Sequence, residues 1–590
     1  MGNKESTLKQ NGYVLQTETK NAVVATKGDD TFLIKKIILD QTSGNAEPAL
    51  TSAIEILKST SHPHIVSINN SFKDQNTYYV VMDYCQGGSL AAKIREMSQP
   101  QQNSEPLSWI VEICMALKTI HEKGLIHKHL TPENIFLTEF GIVRLGEFGI
   151  IHENSKTTNS NLSETINYLA PEVFSKGIYD DKSDIWSVGC ILYELCTLQS
   201  AFSAETTIKL IPKILGCPYP SLPETLSPEI CDLLNDMLNK DPQSRPTASE
   251  ILEHPIVISC LTEKCKTTVE DLQTRLDKLR GVADSLESFH YGTTIGSLTG
   301  GVIGAVGGIT SIVGLILSPF TLGASLIVTG VGVGVGAVGG VTAGASNITN
   351  MVNQSSDRKA VRSIIKEFEQ KIYAVVTWLK EISNSVQTIR RRLDSADTLD
   401  TEDSQFSKDN VYKVGCRAGK GIGGIAEMLR LIQVMNIGKI AAQASKLVRV
   451  AEVATGVFSG LFMAVDIFFI AMDAKEIQHI REAKAAEEGS ATGSESVSET
   501  ETDDSVPTSD QAELLSSSLM QEVNSDIAEQ ELKPSQNTAP IRSEIMKFAR
   551  SIRQAADNLQ KILDELKSSI SSIPSLGNER ELEWQDMELM

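Results

Sequence analysis

The residues of this 590-residue chain that could do chemistry lie mostly in its first half. The imidazole of His129 has an ordinary pKa near neutral pH, so it is suited to accept a proton. Lys35 lies in an alternating run upstream, and Glu147 precedes Phe148-Gly149 downstream. A cation, a carboxylate and an imidazole can bind a charged ligand and move a proton if the fold brings them together.

Two other kinds of chemistry are disfavoured. The nine cysteines are scattered without a Cys-x-x-Cys pair, and Cys260 and Cys265 have no recognised zinc-ligand spacing with His254. We interpret the cysteines as buried, reduced thiols. The net charge of −21 argues against nucleic acid as a main partner, because phosphate backbones are bound by basic surfaces.

The elements that must position these residues change character along the chain. Short alternating runs such as residues 31–38 and 78–84 predict β-strands, and from about Ser108 the apolar spacing becomes helical. Strands followed by helices indicate an α+β domain.

One stretch then resembles a known family. Residues 127–137, His-Lys-His-Leu-Thr-Pro-Glu-Asn-Ile-Phe-Leu, are similar to a protein-kinase catalytic loop, most of all that of the NIMA-related kinases. Four further landmarks stand in kinase order, namely His62-Pro63-His64-Ile65-Val66, Ala170-Pro171-Glu172, Asp184-Ile185-Trp186-Ser187-Val188-Gly189 and Arg245-Pro246. The resemblance covers residues 12–258 and implies a bilobal protein-kinase-like domain within an α+β multidomain chain.

The resemblance also identifies departures at the ATP site. His129 stands where the family has its catalytic Asp base, and Thr131 replaces the catalytic-loop Lys. The metal-binding Asp-Phe-Gly becomes Glu147-Phe148-Gly149, whose carboxylate lies one methylene further out, and Mg²⁺ demands near-ideal octahedral ligand placement. The glycine-rich phosphate loop is missing, because Gly28 is the only glycine between positions 14 and 33.

Two positions of the family's ATP site are retained. Lys35 matches the strand lysine that contacts the α- and β-phosphates, and Asn134 also matches. The helix glutamate that pairs with this lysine falls on Ala53, and Glu55 lies two residues away on a different helix face. ATP and Mg²⁺ are the cofactors that the resemblance suggests, and Glu147 with Asn134 would hold the metal if it bound.

These departures predict a pseudokinase with no catalytic residues and a retained structural skeleton. The resemblance implies that Glu172 pairs with Arg245 beneath the activation segment and that Asp184 holds the catalytic-loop backbone. The alternative is an active, membrane-tethered Ser/Thr kinase in which His129 or Glu147 substitutes for a lost aspartate.

Three apolar stripes with alternating steps of three and four residues follow the kinase-like region. Their members are Val269, Leu272, Leu276, Leu279, Ala283 and Leu286, then Val361, Ile365, Phe368, Ile372, Val375, Leu379, Ile382, Val386, Ile389 and Leu393, then Ile541, Ile545, Phe548, Ile552, Ala555, Leu559, Ile562 and Leu566. Each stripe needs a partner to bury it, so a coiled coil or helical bundle is predicted. A lipid-facing amphipathic helix is the alternative.

An uncharged segment from Ser288 to Ser356 separates the first two stripes. Thr293–Leu317 and Ser325–Ser346 are each long enough to cross a bilayer core of about 30 Å as a helix. Glycines recur at every fourth residue, at Gly296, Gly300, Gly304 and Gly308 on one arm and Gly332, Gly336, Gly340 and Gly344 on the other. Such faces suit close packing of membrane helices, so a hydrophobic helical hairpin is predicted. The alternative is a hairpin buried inside the bundle.

A second apolar run, Val453–Met472, carries a single acid, Asp466. That carboxylate is either a functional group inside a membrane or a sign that the helix is not fully inserted. The heptad helices, the glycine-rich hairpin and the late run Gly-Val-Phe-Ser-Gly-Leu-Phe-Met-Ala-Val-Asp-Ile-Phe-Phe resemble the apolipoprotein L family. Family membership implies lipid binding, with membrane insertion in some members.

The remaining segments complete the predicted organisation. Residues 1–11 fit the myristoylation pattern with Gly2 as the acceptor, and one myristoyl chain needs a second anchor. The helical, membrane-active domain spans residues 266–485, an acidic Ser/Thr-rich linker spans 489–539, and an amphipathic helix spans 540–570.

The predicted function joins these parts. An impaired kinase-like domain is coupled to a lipid-binding, membrane-inserting region in intracellular signalling or membrane remodelling. Lipids and membranes are predicted partners, as are proteins that bind the kinase-like domain and the heptad helices. The predicted location is cytoplasmic and membrane-associated. A soluble coiled-coil scaffold is a further alternative.

Overall fold

The structure is a computed structural model in which two compact units can be described. The described residues are 7–19, 22–38, 46–99, 104–149, 165–216, 218–219, 221–223, 226–298, 343–397, 446–471 and 544–573. The first unit comprises Met1–Val269, Gln370–Arg449 and Leu566–Met590, and the second comprises Glu270–Glu369 and Val450–Glu565.

The first unit begins with a five-stranded antiparallel sheet. Its strands are β1 (Val14–Glu18), β2 (Ala22–Lys27), β3 (Asp30–Ile38), β4 (Ile68–Asp74) and β5 (Thr77–Asp83), in the order β1-β2-β3-β5-β4. Alternate side chains such as Val23, Ala25 and Ile34 are buried in its core, as the period of two in a strand requires. The predicted strands at 31–38 and 78–84 are confirmed as β3 and β5.

One helix, α1 (Ala46–Lys58), packs beside β4 of this sheet. Leu50, Ile54 and Leu57 are buried at the three- and four-residue spacing of one helix face. Ala53 is buried on the same face, whereas Glu55 is exposed.

A helical lobe follows the sheet. Its helices are α2 (Leu90–Glu96), α3 (Ser104–Glu122), α4 (Pro171–Lys176), α5 (Asp181–Thr197), α6 (Thr207–Gly216), α7 (Pro228–Met237) and α8 (Ala248–Leu252). α3 packs against α5 and α8. Capping boxes define the starts of two helices, with Asp180 and Ser183 at α5 and Thr247 and Glu250 at α8.

A short two-stranded ribbon lies between the sheet and these helices. β6 (Ile135–Leu137) pairs with β7 (Val143–Leu145), and β7 also packs against α3. The catalytic-loop stretch precedes β6, and Glu147 follows β7 by two residues. The ribbon therefore places both parts of the predicted ATP site at its two ends.

Two long helices contribute to both units. α9 (Pro255–Leu298) passes without a break through residues 258–266, where the two predicted domains meet. α10 (Ala343–Asp397) contributes its part from Gln370 onward to the first unit. In that part the stripe residues Ile372, Val375, Leu379, Ile382, Val386 and Ile389 are buried, together with Trp378.

The second unit is helical throughout its described residues. It combines α9 from Glu270, α10 up to Glu369, α11 (Lys446–Ala471) from Val450, and α12 (Glu544–Ser571) up to Glu565. The ring of Phe468 on α11 stacks on Phe548 of α12 with centroids 4.3 Å apart. Arg275 on α9 forms a 2.7 Å ion pair with Glu367 on α10.

The predicted stripes are buried wherever the structure describes their side chains, with Leu279 only partly so. This burial fits the bundle interpretation, because each stripe faces protein. The glycine hairpin falls largely outside the described residues, including Gly300, Gly304, Gly308, Gly332, Gly336 and Gly340. Gly296 lies near the end of α9 and Gly344 near the start of α10.

The seven described cysteines are free thiols. Cys114, Cys190, Cys196 and Cys265 are buried, and the other three are partly buried. Burial raises the pKa of the Cys114 thiol to about 12, so it stays protonated and unreactive at neutral pH. This burial fits the interpretation of the cysteines as buried thiols.

Candidate functional site

The predicted ATP site is held between β3 and the two ends of the β6–β7 ribbon. β3 supplies Lys35, which lies opposite Val80 of β5 in the sheet. Lys128 and Glu147 both have left-handed backbones, with φ of +64° and +54°. A non-glycine residue rarely adopts this conformation, and such strained positions concentrate at functional sites.

Lys35 and Glu147 form an ion pair across this site. The Lys35 Nζ lies 2.7 Å from the Glu147 Oε2, and the two side chains are 21% and 12% exposed. The extra methylene of glutamate relative to aspartate extends the reach of the carboxylate. The positive charge that matches the family's phosphate-binding lysine is thereby compensated within the protein.

His129 is bonded through its ring and its backbone to Asn134. The Asn134 Nδ2 donates to the Nδ1 of His129 at 2.6 Å and to the His129 carbonyl at 2.8 Å. Because a carbonyl can only accept, the amide nitrogen must face His129, and the Nδ1 lone pair is occupied. The neutral ring therefore carries its proton on Nε2, which lies 3.3 Å from the Thr165 hydroxyl.

These contacts bear on two functions that the residues could supply, proton acceptance and metal binding. A general base needs a lone pair directed at the substrate, and neither nitrogen of the neutral His129 offers one here. A Mg²⁺ ion needs carboxylate and carbonyl oxygens as ligands. Asn134 contacts His129 through its Nδ2, which leaves the amide oxygen to face a metal, but the Glu147 carboxylate is paired with Lys35. The Lys35–Glu147 pair must therefore open before these two side chains can serve a Mg²⁺–nucleotide complex.

The catalytic-loop backbone is held by Asp184 of α5, as predicted. Its carboxylate accepts from the backbone N–H groups of His127 at 2.8 Å and Lys128 at 2.9 Å. The Nε2 of His121 lies 2.9 Å from the same carboxylate. The His127 ring lies 4.9 Å from the Phe148 ring, and burial lowers its pKa.

The predicted pair beneath the activation segment is also confirmed. Arg245 donates from both terminal nitrogens to Glu172, at 2.7 and 2.8 Å, and Ser183 donates to the same carboxylate at 2.8 Å. Burial alone would raise the pKa of Glu172, but the Arg245 guanidinium outweighs it, so the pKa lies below its ordinary value. The bidentate pair fixes α4 to the segment that precedes α8, and the Ser183 bond fixes α4 to α5.

The end of β1 and the start of β2 are joined by hydrogen bonds between Thr19 and Ala22. The Thr19 N–H donates to the Ala22 carbonyl at 2.8 Å, and the Thr19 hydroxyl donates to the same oxygen at 3.0 Å. Thr131, which replaces the catalytic-loop lysine, is buried. Glu55, the displaced helix glutamate, lies 3.9 Å from Lys58 of its own helix.

The other predicted sites are positioned separately. Asp466 on α11 accepts hydrogen bonds from Arg358 at 3.0 Å and Arg362 at 2.7 Å, both on α10. Gly2 lies outside the described residues. Within the described ranges, no three His, Cys, Asp or Glu side chains gather as a metal site.

Sequence reasoning missed both pairings at the ATP site. The substitutions at positions 129 and 147 were visible, but the partners of these side chains depend on distances between β3, the catalytic loop and β7. The signal available was the longer side chain at position 147 beside a retained Lys35, which supplies two complementary charges.

Comparison with known proteins shows what each part of the chain is similar to. Residues 19–257 match the sequence model of the protein kinase domain, and residues 263–492 match that of apolipoprotein L. The mouse serine/threonine-protein kinase Nek1 is 36% identical over 234 residues, which are 39% of this chain and 20% of Nek1. Mouse Nek4 is 34% identical over 261 residues, which are 43% of this chain and 33% of Nek4.

A human relative shows the same coverage. Human Nek11 is 31% identical over 236 residues, which are 39% of this chain and 36% of Nek11. The chain thus spans between a fifth and about a third of the length of these relatives. The first part of the chain is thus similar to the protein kinase domain of NIMA-related kinases, and the part that follows it is similar to apolipoprotein L.

Proposed function

We propose that the kinase domain does not transfer phosphate and serves as a binding module joined to a lipid-engaging helical region at cytoplasmic membranes. The Lys35–Glu147 ion pair is the observation that carries this proposal. Phosphoryl transfer depends on cations that neutralise the transferred group, and here the lysine charge is already compensated. A nucleotide must break a 2.7 Å ion pair before it can use Lys35.

The occupied Nδ1 of His129 supports the same conclusion. An active kinase needs a proton acceptor at this position, and the retained Asn134 blocks the lone pair that would serve. The alternative, an active Ser/Thr kinase with atypical residues, is favoured by the similarity to the Nek kinases. The same assay distinguishes the two functions.

The assay measures thermal stability with ATP, with and without Mg²⁺, and then phosphate transfer to a general protein substrate. The full chain is expected to give no Mg²⁺-dependent thermal shift and no transfer above a buffer control. Its matched variant is Glu147→Gln, which releases Lys35 without restoring a metal-binding aspartate. This variant should gain Mg²⁺-independent nucleotide binding and still transfer no phosphate. Robust transfer by the full chain that His129→Ala abolishes would establish the active kinase.

The lipid-engaging part of the proposal is supported by α11. Among the described residues, this 26-residue helix has the length and composition to cross a membrane. It also exposes apolar side chains, namely Val448, Val453, Met463 and Ile470, opposite its buried face. Exposed Lys446 and Arg449 at its start suit anionic headgroups.

Liposome flotation and dye leakage test this part. The full chain is expected to float with anionic liposomes at neutral or acidic pH and to release dye. A chain lacking residues 292–346 should lose dye release, and Gly2→Ala should weaken flotation if Gly2 is myristoylated. A chain that stays in the supernatant at both pH values would instead support a soluble coiled-coil scaffold.

A further inference from the structure

The last part of α10 covers a buried polar cluster on the kinase domain. The indole N–H of Trp378 donates to the Nε2 of His64 at 2.9 Å, and both side chains are buried. Their ring planes are parallel to within 5°, and the ring centroids are 6.1 Å apart. The Lys264 Nζ lies 4.9 Å above the Trp378 ring.

The two bonds of His64 fix a single protonation state. Its Nδ1 lies 3.0 Å from the Val143 carbonyl, which can only accept, so Nδ1 carries the proton. Nε2 then has the lone pair that the Trp378 N–H needs. The imidazole is neutral and satisfied at both nitrogens, and it links α10 directly to β7.

The edge of β7 away from β6 is held by this cluster and by the backbone of Val66, whose N–H donates to the Leu145 carbonyl at 2.9 Å. The His64 ring holds the Val143 carbonyl, and the Glu112 carboxylate accepts from the Val143 N–H at 2.8 Å. The Leu145 N–H donates to the His64 carbonyl at 2.8 Å. Lys264 forms an ion pair with the same Glu112. β7 is three residues long, so these bonds are a large part of what fixes it.

β7 leads directly into the candidate site. Glu147 is two residues beyond Leu145, with only Gly146 between them. Gly146 is itself held through its carbonyl, 2.9 Å from the His127 Nε2. A shift of β7 therefore moves the residue that pairs with Lys35.

We propose that Trp378 is a positioning residue for the candidate site, and that docking of α10 on His64 is coupled through β7 to the Lys35–Glu147 pair. The proposal rests on the proposed function in one respect, because it takes the paired Lys35 and Glu147 as the resting state of the candidate site. Coupling between two sites is reciprocal, so disrupting the pair must loosen α10 as much as undocking α10 loosens the pair.

Hydrogen–deuterium exchange of the full chain tests the coupling. Trp378→Phe keeps an aromatic ring and removes the N–H donor together with the pyrrole part of the indole. It is expected to raise exchange about tenfold at the amides of Leu145 and Gly149, and to leave Val80 and Val81 in the sheet unchanged. The control is Tyr373→Phe on the same helix, which removes an exposed contact to Ser61 and should change none of these amides.

Two further variants complete the test. His64→Gln can both donate to Val143 and accept from Trp378, so it is expected to keep Leu145 within threefold of the unmodified chain. Glu147→Gln changes no residue of α10. It should nevertheless raise hydrogen–deuterium exchange at the α10 amides near Trp378 at least threefold.

The outcomes separate cleanly. A uniform rise across the domain with Trp378→Phe, or no rise at Leu145 and Gly149, overturns the coupling. Unchanged exchange at the α10 amides in Glu147→Gln would also overturn the coupling, and this result does not depend on a variant of α10 itself. Phosphate transfer by the unmodified chain would overturn the proposed function and leave the exchange result standing.

Discussion

A single methylene separates glutamate from aspartate, and at position 147 it brings the carboxylate to 2.7 Å from the Lys35 Nζ. The substitution itself is readable in the sequence, and so is the retained lysine. Their pairing is not, because it depends on how β7 lies against β3. By contrast, the Glu172–Arg245 pair was predictable, because both residues stand in landmarks whose relation the kinase resemblance supplies.

That buried pair gives a first prediction. Arg245→Met leaves the Glu172 carboxylate buried without its cation, so the free energy of unfolding should fall by about 3–5 kcal/mol. Urea unfolding of the kinase domain within the full chain measures the change. The control is Arg95→Met, whose pair with Glu133 is 67% and 46% exposed and should contribute under ~1 kcal/mol. Equal losses in the two variants would contradict the prediction.

The buried imidazole of His64 gives a second prediction, on pH dependence. Burial lowers the pKa of His64 from 6.5 to about 3. The unfolded chain therefore binds a proton below pH 6.5 that the folded chain does not, and stability falls as pH decreases from about 6.5 towards 3. One such proton contributes a slope of about 1.4 kcal/mol per pH unit.

His64→Gln removes this proton while retaining hydrogen-bonding capacity. Its unfolding free energy, measured in urea between pH 4.5 and 7, should fall less steeply with acid than that of the unmodified chain. The neighbouring His62, whose pKa is lowered to about 3 by burial and by His64, titrates in both proteins, so the part of its contribution that comes from burial is common to the two slopes. Parallel slopes would show that His64 is not the group that takes up the proton.

At the scale of the element, α11 shows what periodicity reveals and what it omits. The apolar run Val453–Met472 was recognisable, and the helix spans Lys446–Ala471. Its acid, Asp466, is met by Arg358 and Arg362, one turn apart on α10. Such i and i+4 spacing shows that two arginines share a face, but not which helix they face.

This cluster gives a third prediction. Asp466→Asn leaves two arginines without their shared carboxylate and should lower the stability of the second unit by about 1 kcal/mol at low salt. The difference should shrink in 1 M NaCl, where the screening length is about 3 Å. Glu452→Gln, an exposed acid on the same helix, is the control for net charge. Thermal unfolding at both salt concentrations measures the effect, and a salt-independent loss would point to packing instead.

The stripes show the same division between face and partner. A spacing of three and four predicted which side chains are buried, and Phe548, Ile552 and Leu559 are buried. Phe548 stacks on Phe468, 80 residues earlier. Neither the stripe that contains Phe548 nor the apolar run that contains Phe468 indicates this contact. Apolar helix faces of similar width look alike in the sequence. Which helix packs against which is therefore decided by the fit of their side chains in three dimensions.

At the scale of the molecule, the first unit is assembled from separated parts of the chain. The kinase resemblance ends near residue 258, but Lys264 of α9 and Trp378 of α10 complete the polar cluster around His64 and Glu112. Landmarks common to kinases cannot predict this, because the added residues lie outside the kinase region. Only the fold shows that His64 and Glu112 are buried and that their partners come from outside the kinase region.

A fourth prediction follows for a fragment ending at residue 269. It lacks Trp378 and should unfold at a lower urea concentration than the kinase domain of the full chain. A synthetic peptide of residues 370–397 should raise the midpoint in a concentration-dependent way, because a ligand that binds only the folded state stabilises it. The same peptide with Trp378→Ala should raise it less. A midpoint insensitive to either peptide would contradict the prediction.

The separation of Trp378 from the rest of its cluster also has a consequence for synthesis on the ribosome. Roughly 110 residues are added after Lys264 before Trp378 is made, which takes ~6–23 s at ~5–20 residues per second. Throughout that interval the surface of the nascent kinase domain around His64 is exposed, because Trp378 has not yet been made to cover it. A molecule built in this order is expected to need chaperone protection at that face, and mutations that slow translation between α9 and α10 should lengthen the exposure.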